Sequence, residues 1–213
     1  MGRASGLFRM CAEADVEYTH VSTRPEIGAA LWGAESTNLL PPMIQDGDLV
    51  LSQAVPCHQY LGNKFGFNKN IDIPQVAVQY VDDLSDFYGA MESAASKGEG
   101  SNDVHALQEY LNGDRFKNHL RAINRSIKGK FYFGEDPTYV DYAVCTYLDT
   151  AEGRYLNPLK SKINGDIIAE YAPKMRAICT AIRELPSAKK FENTQLVADF
   201  LALSEERVST WKT

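Results

Sequence analysis

The 213-residue sequence contains no apolar run that approaches the roughly 20 residues a membrane-spanning helix needs. Its first residues, Met-Gly-Arg-Ala-Ser, also lack the apolar core of a secretory signal peptide. We therefore expect no membrane span and a cytoplasmic location. An organellar targeting segment that had been removed would leave no trace in this sequence.

Concentrated positive charge and metal-ligand patterns are missing as well. The net charge is −6, and the Lys and Arg residues form no dense run, which argues against nucleic acid as a partner. The four cysteines are far apart, without a Cys-x-x-Cys motif, and the four histidines have no Cys, Ser or Asp at the spacing of a triad or metal site. We expect reduced core thiols and no metal. The cysteines are Cys11, Cys57, Cys145 and Cys179, and the histidines are His20, His58, His105 and His119.

Apolar residues, by contrast, are plentiful. They make up 44% of the sequence and aromatic residues 10%, which is ample for buried cores in one large domain or two small ones. The sequence therefore predicts a globular protein.

The stretch from Leu40 to Leu61 carries the clearest local signals. Two short strand-like runs, Pro42–Gln45 and Leu49–Leu51, flank the dipeptide Asp46-Gly47, which predicts a hairpin because glycine tolerates positive φ. Ser52 then offers an N-cap hydroxyl, and Gln53 begins a predicted helix. The start of such a helix presents unpaired N–H groups and the positive end of the helix dipole, which favour a small carboxylate.

The ordered set Pro42, Asp46-Gly47, Leu49-x-Leu51-x-Gln53 and Tyr60-Leu61 resembles the soluble glutathione transferase family, closest to its pi and sigma branches. Each piece alone is a weak signal, but the order and spacing together are considerably more specific. The resemblance implies the glutathione transferase fold. This fold has an α/β thioredoxin-like N-terminal domain, here residues 1–67, and an all-α C-terminal domain, here residues 75–213. Glutathione is the implied ligand and substrate.

The resemblance also assigns roles inside the hairpin stretch. In the family the proline is cis and ends the strand that pairs with the backbone of the glutathione cysteine, while the Gln holds the γ-glutamyl carboxylate. Pro42, with its neighbour Met43, and Gln53 take those roles here. From the residues alone, Ser52 and Gln53 are also explained as capping residues of the helix.

Three further residues are implied as glutathione-binding. Arg3 lies in Gly2-Arg3-Ala4, which is similar to the segment just before the first helix of the family. Trp32 resembles a Trp near the glycyl carboxylate, and Asp86 resembles an acid that reaches across the dimer to the γ-glutamyl amine. Each has a structural alternative: a solvated terminus for Arg3, a packing residue for Trp32 and a solvated helix face for Asp86.

The start of the chain departs from the family. The sequence predicts a helix from Ser5, a possible cap, to Ala14, followed by a strand Val16–Val21. In the family a complete strand precedes that helix and carries the Tyr, Ser or Cys that stabilises the glutathione thiolate. We therefore expect either a further segment upstream of Met1 or a protein without this strand. The catalytic residue stays unassigned.

The rest of the chain predicts helices. A polar, turn-rich stretch from Phe67 to Pro74 predicts an interdomain linker. Helical periodicity then predicts two long helices, one from Gln75 and one over 104–127, and a later helix over Ile167–Leu185. Thr138-x-x-Asp141 predicts a capping box that coincides with one on the central buried helix of the family.

Substitutions within the motif bear on activity. Pro41 has no N–H for the cysteine of glutathione, Ala54 replaces a family Ser that helps to hold the γ-glutamyl carboxylate, and no basic residue lies between Trp32 and Pro41. If the site is intact, the resemblance implies conjugation of the glutathione thiolate to small electrophiles. The alternative is a non-catalytic binding or scaffold subunit of a larger assembly. A homodimer, or association with another subunit, is expected in both cases.

Overall fold

The computed structural model describes residues 2–21, 23–33, 36–37, 40–96, 103–160, 163, 165–195 and 197–198. The N-terminal part contains a 3₁₀ turn (Gly2–Ala4), α1 (Ser5–Glu13), α2 (Arg24–Trp32), β1 (Met43–Asp46), β2 (Leu49–Ser52) and α3 (Ala54–Phe65). In the remaining described residues the helices are α4 (Pro74–Ala95), α5 (Val104–Asn112), α6 (Asp114–Ser126), α7 (Tyr139–Ala151), a π-helical turn (Glu152–Leu156), α8 (Ile167–Tyr171), α9 (Pro173–Glu184) and α10 (Pro186–Glu192).

β1 and β2 form an antiparallel hairpin in which Met43 lies opposite Ser52 and Asp46 lies opposite Leu49. Gly47 takes the first position of the two-residue turn with a φ of 60°, a conformation that glycine adopts without steric cost. The predicted hairpin is confirmed. The peptide bond between Pro41 and Pro42 is cis, as expected.

The predicted strand Val16–Val21 is wrong. A strand needs the backbone of a neighbour for its hydrogen bonds, and among the described residues β1 and β2 pair only with each other. The segment has no regular secondary structure and is exposed. The rings of Tyr18 and His20 lie on Phe8 of α1, with centroid distances of 5.5 and 5.1 Å.

Two predicted helices are each divided in two. The helix predicted over 104–127 is interrupted at Gly113, which has an extended backbone between α5 and α6 and the low helix propensity of glycine. The helix predicted over Ile167–Leu185 is interrupted at Ala172, because the following Pro173 disfavours a helical conformation there.

Two predicted caps are also displaced. Ser52 ends β2, so α3 begins one residue later than expected, with Gln53 at the N-cap position. Ser5 lies inside α1 after the 3₁₀ turn, and its buried hydroxyl donates to the carbonyl oxygen of Cys145 at 3.4 Å instead of capping the helix.

α7 lies at the centre of the core, where every one of its residues except Asp149 is buried. Helices α1, α3, α4 and α9 pack around it. The predicted capping box is confirmed. The Asp141 carboxylate accepts the Thr138 N–H at 2.7 Å, the Thr138 hydroxyl at 2.8 Å and the Tyr132 N–H at 2.9 Å. These bonds orient the first turn of the helix on which the N-terminal part rests.

Candidate functional site

The junction between β2 and α3 has an unusual backbone at Gln53. Its φ of 74° and ψ of 147° lie in a region that residues other than glycine rarely occupy, at a cost of about 1–3 kcal/mol. The Gln53 N–H donates to the carbonyl oxygen of Leu40 at 3.3 Å, which ties the junction to the chain just before Pro41 and Pro42. The side chain of Gln53 makes no capping bond to α3. The capping role that the residues alone suggested is therefore not the one observed.

α3 thus begins without a side-chain cap. The N–H groups of Ala54 and Val55 have no acceptor inside the helix, and Pro56 has no N–H. Ala54 is buried and carries no hydroxyl. The two N–H groups, the helix dipole and the neighbouring Gln53 amide together suit a carboxylate.

Cys57 holds the hairpin against α3. Its thiol lies 3.7 Å from the carbonyl oxygens of both Pro42 and Leu51. Burial raises the pKa of Cys57 to about 12, so the group stays a neutral thiol near pH 7 and is unsuited to act as a nucleophile. Its contacts bring the ends of β1 and β2 to the first turns of α3.

Two residues of the sequence motif, Asp46 and Tyr60, meet at the hairpin turn. The Tyr60 hydroxyl donates to the Asp46 carboxylate, which also forms an ion pair with Lys64. These contacts fix the turn on the outer face of α3. They explain why the Asp46-Gly47 turn and Tyr60 occur together, without a ligand role for either.

Arg3 and Asp86 belong to a second group of residues, beside α7. The Thr150 hydroxyl donates to the carbonyl oxygen of Gly2 at 2.8 Å, which fixes the start of the chain on α7. Burial raises the pKa of Tyr147, while the nearby Arg3 lowers it and the nearby Asp82 and Asp86 raise it. The charges of Arg3 and Asp86 therefore act on the pKa of the same buried hydroxyl. Tyr147 was not predictable from the sequence, because a Tyr in an apolar helix has no distinguishing pattern.

Trp32 is apart from both groups. It ends α2 and is 77% exposed, with its indole lying back over Gly28 of the same helix. The packing role considered for Trp32 is not the one observed.

A buried polar group joins α1 and α3 to α7. His58 Nδ1 lies 2.7 Å from the carbonyl oxygen of Ala54, and Nε2 lies 3.0 Å from Thr146 Oγ1, which also accepts the Gly6 N–H at 2.7 Å. Burial lowers the pKa of His58 to about 4, so the ring is neutral near pH 7. The neutral ring donates from Nδ1 and accepts at Nε2. These bonds connect the start of α3 to the start of α1.

Two kinds of feature are absent from the described residues. In the part of the chain that the structure describes, no group of His, Cys, Asp and Glu residues is arranged to hold a metal ion. Over the same residues, no helix combines the length and apolarity that crossing a membrane requires.

The chain is similar to known proteins in its C-terminal part and in its fold. Residues 83–195, just over half of the chain, match the family model described as glutathione S-transferase, C-terminal domain. No curated protein matches the sequence significantly.

Solved structures match the fold over nearly the whole chain. A pi-class glutathione S-transferase of Onchocerca volvulus superimposes with a TM-score of 0.70 at 14% identity, covering 93% of this chain and 90% of that one. Prostaglandin synthase D of Nilaparvata lugens superimposes with a TM-score of 0.65 at 18% identity, covering 91% of this chain and 93% of that one. A glutathione S-transferase of Actinobacillus pleuropneumoniae superimposes with a TM-score of 0.63 at 17% identity, covering 90% of this chain and 87% of that one. These matches confirm the expected fold class, a thioredoxin-like N-terminal domain followed by an all-α C-terminal domain.

Proposed function

Because the chain belongs to the glutathione S-transferase family, we propose that it binds glutathione at the junction of β2 and α3 and transfers the thiolate to small electrophiles slowly. The backbone of Gln53 is the observation that carries this proposal. Residues held at such φ and ψ values cluster at ligand clamps and active sites, and this one stands at an uncapped helix start.

The γ-glutamyl carboxylate would accept the N–H groups of Ala54 and Val55 and the amide of Gln53. The backbone beside Pro42 and Met43 would pair with the cysteine of glutathione. The Pro41 carbonyl oxygen can accept a bond, but Pro41 has no N–H to donate, so one of two backbone bonds is lost. Such a loss weakens binding by about 0.5–1.5 kcal/mol.

Conjugation requires the thiolate form of glutathione. The fraction of glutathione in this form rises when hydrogen bonds and positive potential lower its thiol pKa. Arg3 and the positive end of the α1 dipole would supply potential near the site. Tyr147 is fully buried, so its hydroxyl is poorly placed to donate to a ligand. With no hydroxyl assigned to the thiolate, the expected conjugation is slow, and no metal takes part in it.

Titration calorimetry with glutathione tests the placement. Gln53→Glu puts a second negative charge beside the carboxylate and should abolish the binding heat. Gln45→Glu makes the same change at an exposed position of β1 and should leave the heat unchanged. Equal binding heats from the two variants would show that glutathione does not bind at this junction.

We also propose a homodimer formed through α4 and α6. The exposed face of α4 carries Asp82, Asp83 and Asp86, and the adjacent α6 carries the exposed residues Arg115, Arg121 and Arg125. A twofold axis would set the acidic face of one copy against the basic face of the other.

Light scattering tests this dimer. Arg121→Glu together with Arg125→Glu should give a monomer, and high salt should weaken the wild-type dimer. Lys189→Glu together with Lys190→Glu repeats the charge change on α10 and should leave the dimer intact. If both double variants stay dimeric, the interface lies elsewhere.

A second candidate function is that of a non-catalytic subunit of a larger assembly. The apolar surface of the hairpin favours it, because Leu49 is 40% and Val50 41% exposed, and exposed strand edges readily pair with other chains. If this candidate is right, glutathione gives no heat, while Val50→Lys prevents association of the purified protein.

We also propose a domain boundary and a cytoplasmic location for the chain. The domain boundaries 1–67 and 75–213 predict that limited proteolysis cuts first in the segment between them, at residues 68–74. First cleavage elsewhere would contradict these boundaries.

The proposed cytoplasmic location predicts that a fluorescent fusion of the chain fills the cytoplasm. A fusion confined to an organelle would contradict this location.

A further inference from the structure

A chain of three hydrogen bonds crosses the buried interface of α1, α7 and α3 and ends at the proposed glutathione site. The Gly6 N–H donates to the Thr146 hydroxyl at 2.7 Å, and that hydroxyl lies 3.0 Å from His58 Nε2. The other ring nitrogen, Nδ1, lies 2.7 Å from the carbonyl oxygen of Ala54. His58 and Thr146 have no exposed surface, so each group relies on its partner in this chain.

The two ends of the chain fix the direction of every bond in it. The Ala54 carbonyl oxygen can only accept, so the neutral His58 ring carries its proton on Nδ1 and accepts at Nε2. The Thr146 hydroxyl gives its one proton to Nε2 and accepts the Gly6 N–H. All donors therefore point from α1 toward α3, and hydrogen bonds that follow one another in this way polarise each other.

The first bond of the chain depends on a glycine. A Cβ at Gly6 would lie 2.5 Å from Thr146 Oγ1, so a larger residue would push α1 away from α7. Glycine inside a helix costs about 1 kcal/mol relative to alanine. Gly6 therefore weakens α1 but lets its backbone N–H reach Thr146.

The last acceptor belongs to a peptide group of the proposed site. The Ala54 carbonyl and the Val55 N–H are the two ends of one planar peptide group. A hydrogen bond to the carbonyl oxygen therefore fixes the plane in which the N–H lies. It also draws electron density toward the oxygen, which strengthens the N–H as a donor. This N–H has no acceptor inside α3 and is one of the two donors proposed for the γ-glutamyl carboxylate.

We propose that His58 and Thr146 are positioning residues for glutathione, because their hydrogen bonds orient and strengthen the Val55 N–H that meets the γ-glutamyl carboxylate. This inference rests on the proposed function of the junction between β2 and α3. Both side chains act through the peptide group between Ala54 and Val55. A carboxylate bound at this end polarises the whole chain, so its effect extends to the Gly6 N–H at the other end.

Titration calorimetry with glutathione tests the role of the hydroxyl. Thr146→Val removes it at nearly constant volume and should weaken binding by about threefold to tenfold. Thr146→Ser keeps a hydroxyl and should restore the wild-type affinity. Thr180→Val makes the same change at an exposed position of α9, where the hydroxyl bonds to the Arg176 carbonyl oxygen at 3.1 Å, and should leave the affinity unchanged.

NMR of the wild-type protein tests the chain even if Thr146→Val does not fold. Nitrogen chemical shifts should show the His58 proton on Nδ1. Glutathione should move the Gly6 amide proton signal downfield, because the bound carboxylate strengthens each bond in the chain. The amide signal of Gly113, between α5 and α6, should not move.

Four results would overturn this inference and leave the proposed function standing. They are a proton on His58 Nε2, a Gly6 signal that stays in place while glutathione binds, equal affinities of the wild type and Thr146→Val, and an equal loss of affinity in Thr146→Ser. A wild-type protein that gives no binding heat would instead overturn the proposed function, and this inference with it.

Discussion

Acid should weaken the folded state through His58, whose ring joins α3 to α7. Burial lowers the pKa of His58 from 6.5 to about 4, so the unfolded chain binds a proton more readily than the folded protein. Stability is then lost as the pH falls through 6.5 and on toward 4. Linkage gives a loss of about 2 kcal/mol between pH 7 and pH 5, and the complete shift of 2.5 units corresponds to about 3.4 kcal/mol.

A second buried group acts in the opposite direction. Burial raises the pKa of Asp141 to about 6, so the folded protein takes up that proton first and gains about 1.3 kcal/mol between pH 7 and pH 5. Together, these two groups should therefore lower the unfolding free energy of the wild-type protein by only about 0.7 kcal/mol between pH 7 and pH 5. The contribution of His58 must therefore be obtained from the difference in unfolding free energy between the wild type and a variant without this histidine.

The assay is urea unfolding at pH 7, 6 and 5 for the wild type and His58→Gln, which cannot titrate. The wild-type advantage over this variant should shrink by about 2 kcal/mol from pH 7 to pH 5. His105→Gln, which replaces a histidine whose side chain is 84% exposed, is the matched control. A constant difference between the wild type and His58→Gln would show that His58 does not make stability depend on pH.

Two further predictions concern α7 and its contacts. Asp141→Ala leaves three buried donors without an acceptor and should lower the free energy of unfolding by about 3 kcal/mol or more, whereas Asp136→Ala, at an exposed position nearby, should change it by less than about 0.5 kcal/mol in urea unfolding. Gly6→Ala would place a Cβ 2.1 Å from the carbonyl oxygen of Tyr142 and should cost about 2–3 kcal/mol. Gly89→Ala, in open space on α4, should stabilise by about 0.5–1 kcal/mol. Equal effects from the two members of either pair in the same assay would contradict the assigned contacts.

Local features were predictable from the sequence. The hairpin follows from the Asp46-Gly47 turn, and the box at Thr138 and Asp141 joins residues three apart, so each depends on a few neighbouring residues. The strand expected at Val16–Val21 is different, since a strand forms only where another backbone completes its hydrogen bonds. Residue propensity carries no information about that neighbour.

The candidate site was predictable only in part, for the same reason. The residues predicted a helix that begins at Gln53, one residue before the observed start of α3. The positive φ of Gln53 accompanies the packing of the hairpin against Cys57 and the bond to Leu40, which join residues that are apart in sequence. The charges of Arg3 and Asp86 act on Tyr147 from distant parts of the chain. No local pattern in a single sequence reveals such an influence.

We propose that the chain binds glutathione weakly at the junction of β2 and α3 and conjugates it slowly. The missing Pro41 N–H and the missing hydroxyl at Ala54 each remove a separate contact, and about 1.4 kcal/mol corresponds to a tenfold change in affinity. Calorimetric titration of the 213-residue chain with glutathione, combined with a standard thiol-conjugation assay, tests this most directly. We predict a dissociation constant weaker than about 100 μM and slow turnover. Micromolar binding with brisk turnover would show that another residue supplies the thiolate donor, and would contradict this account.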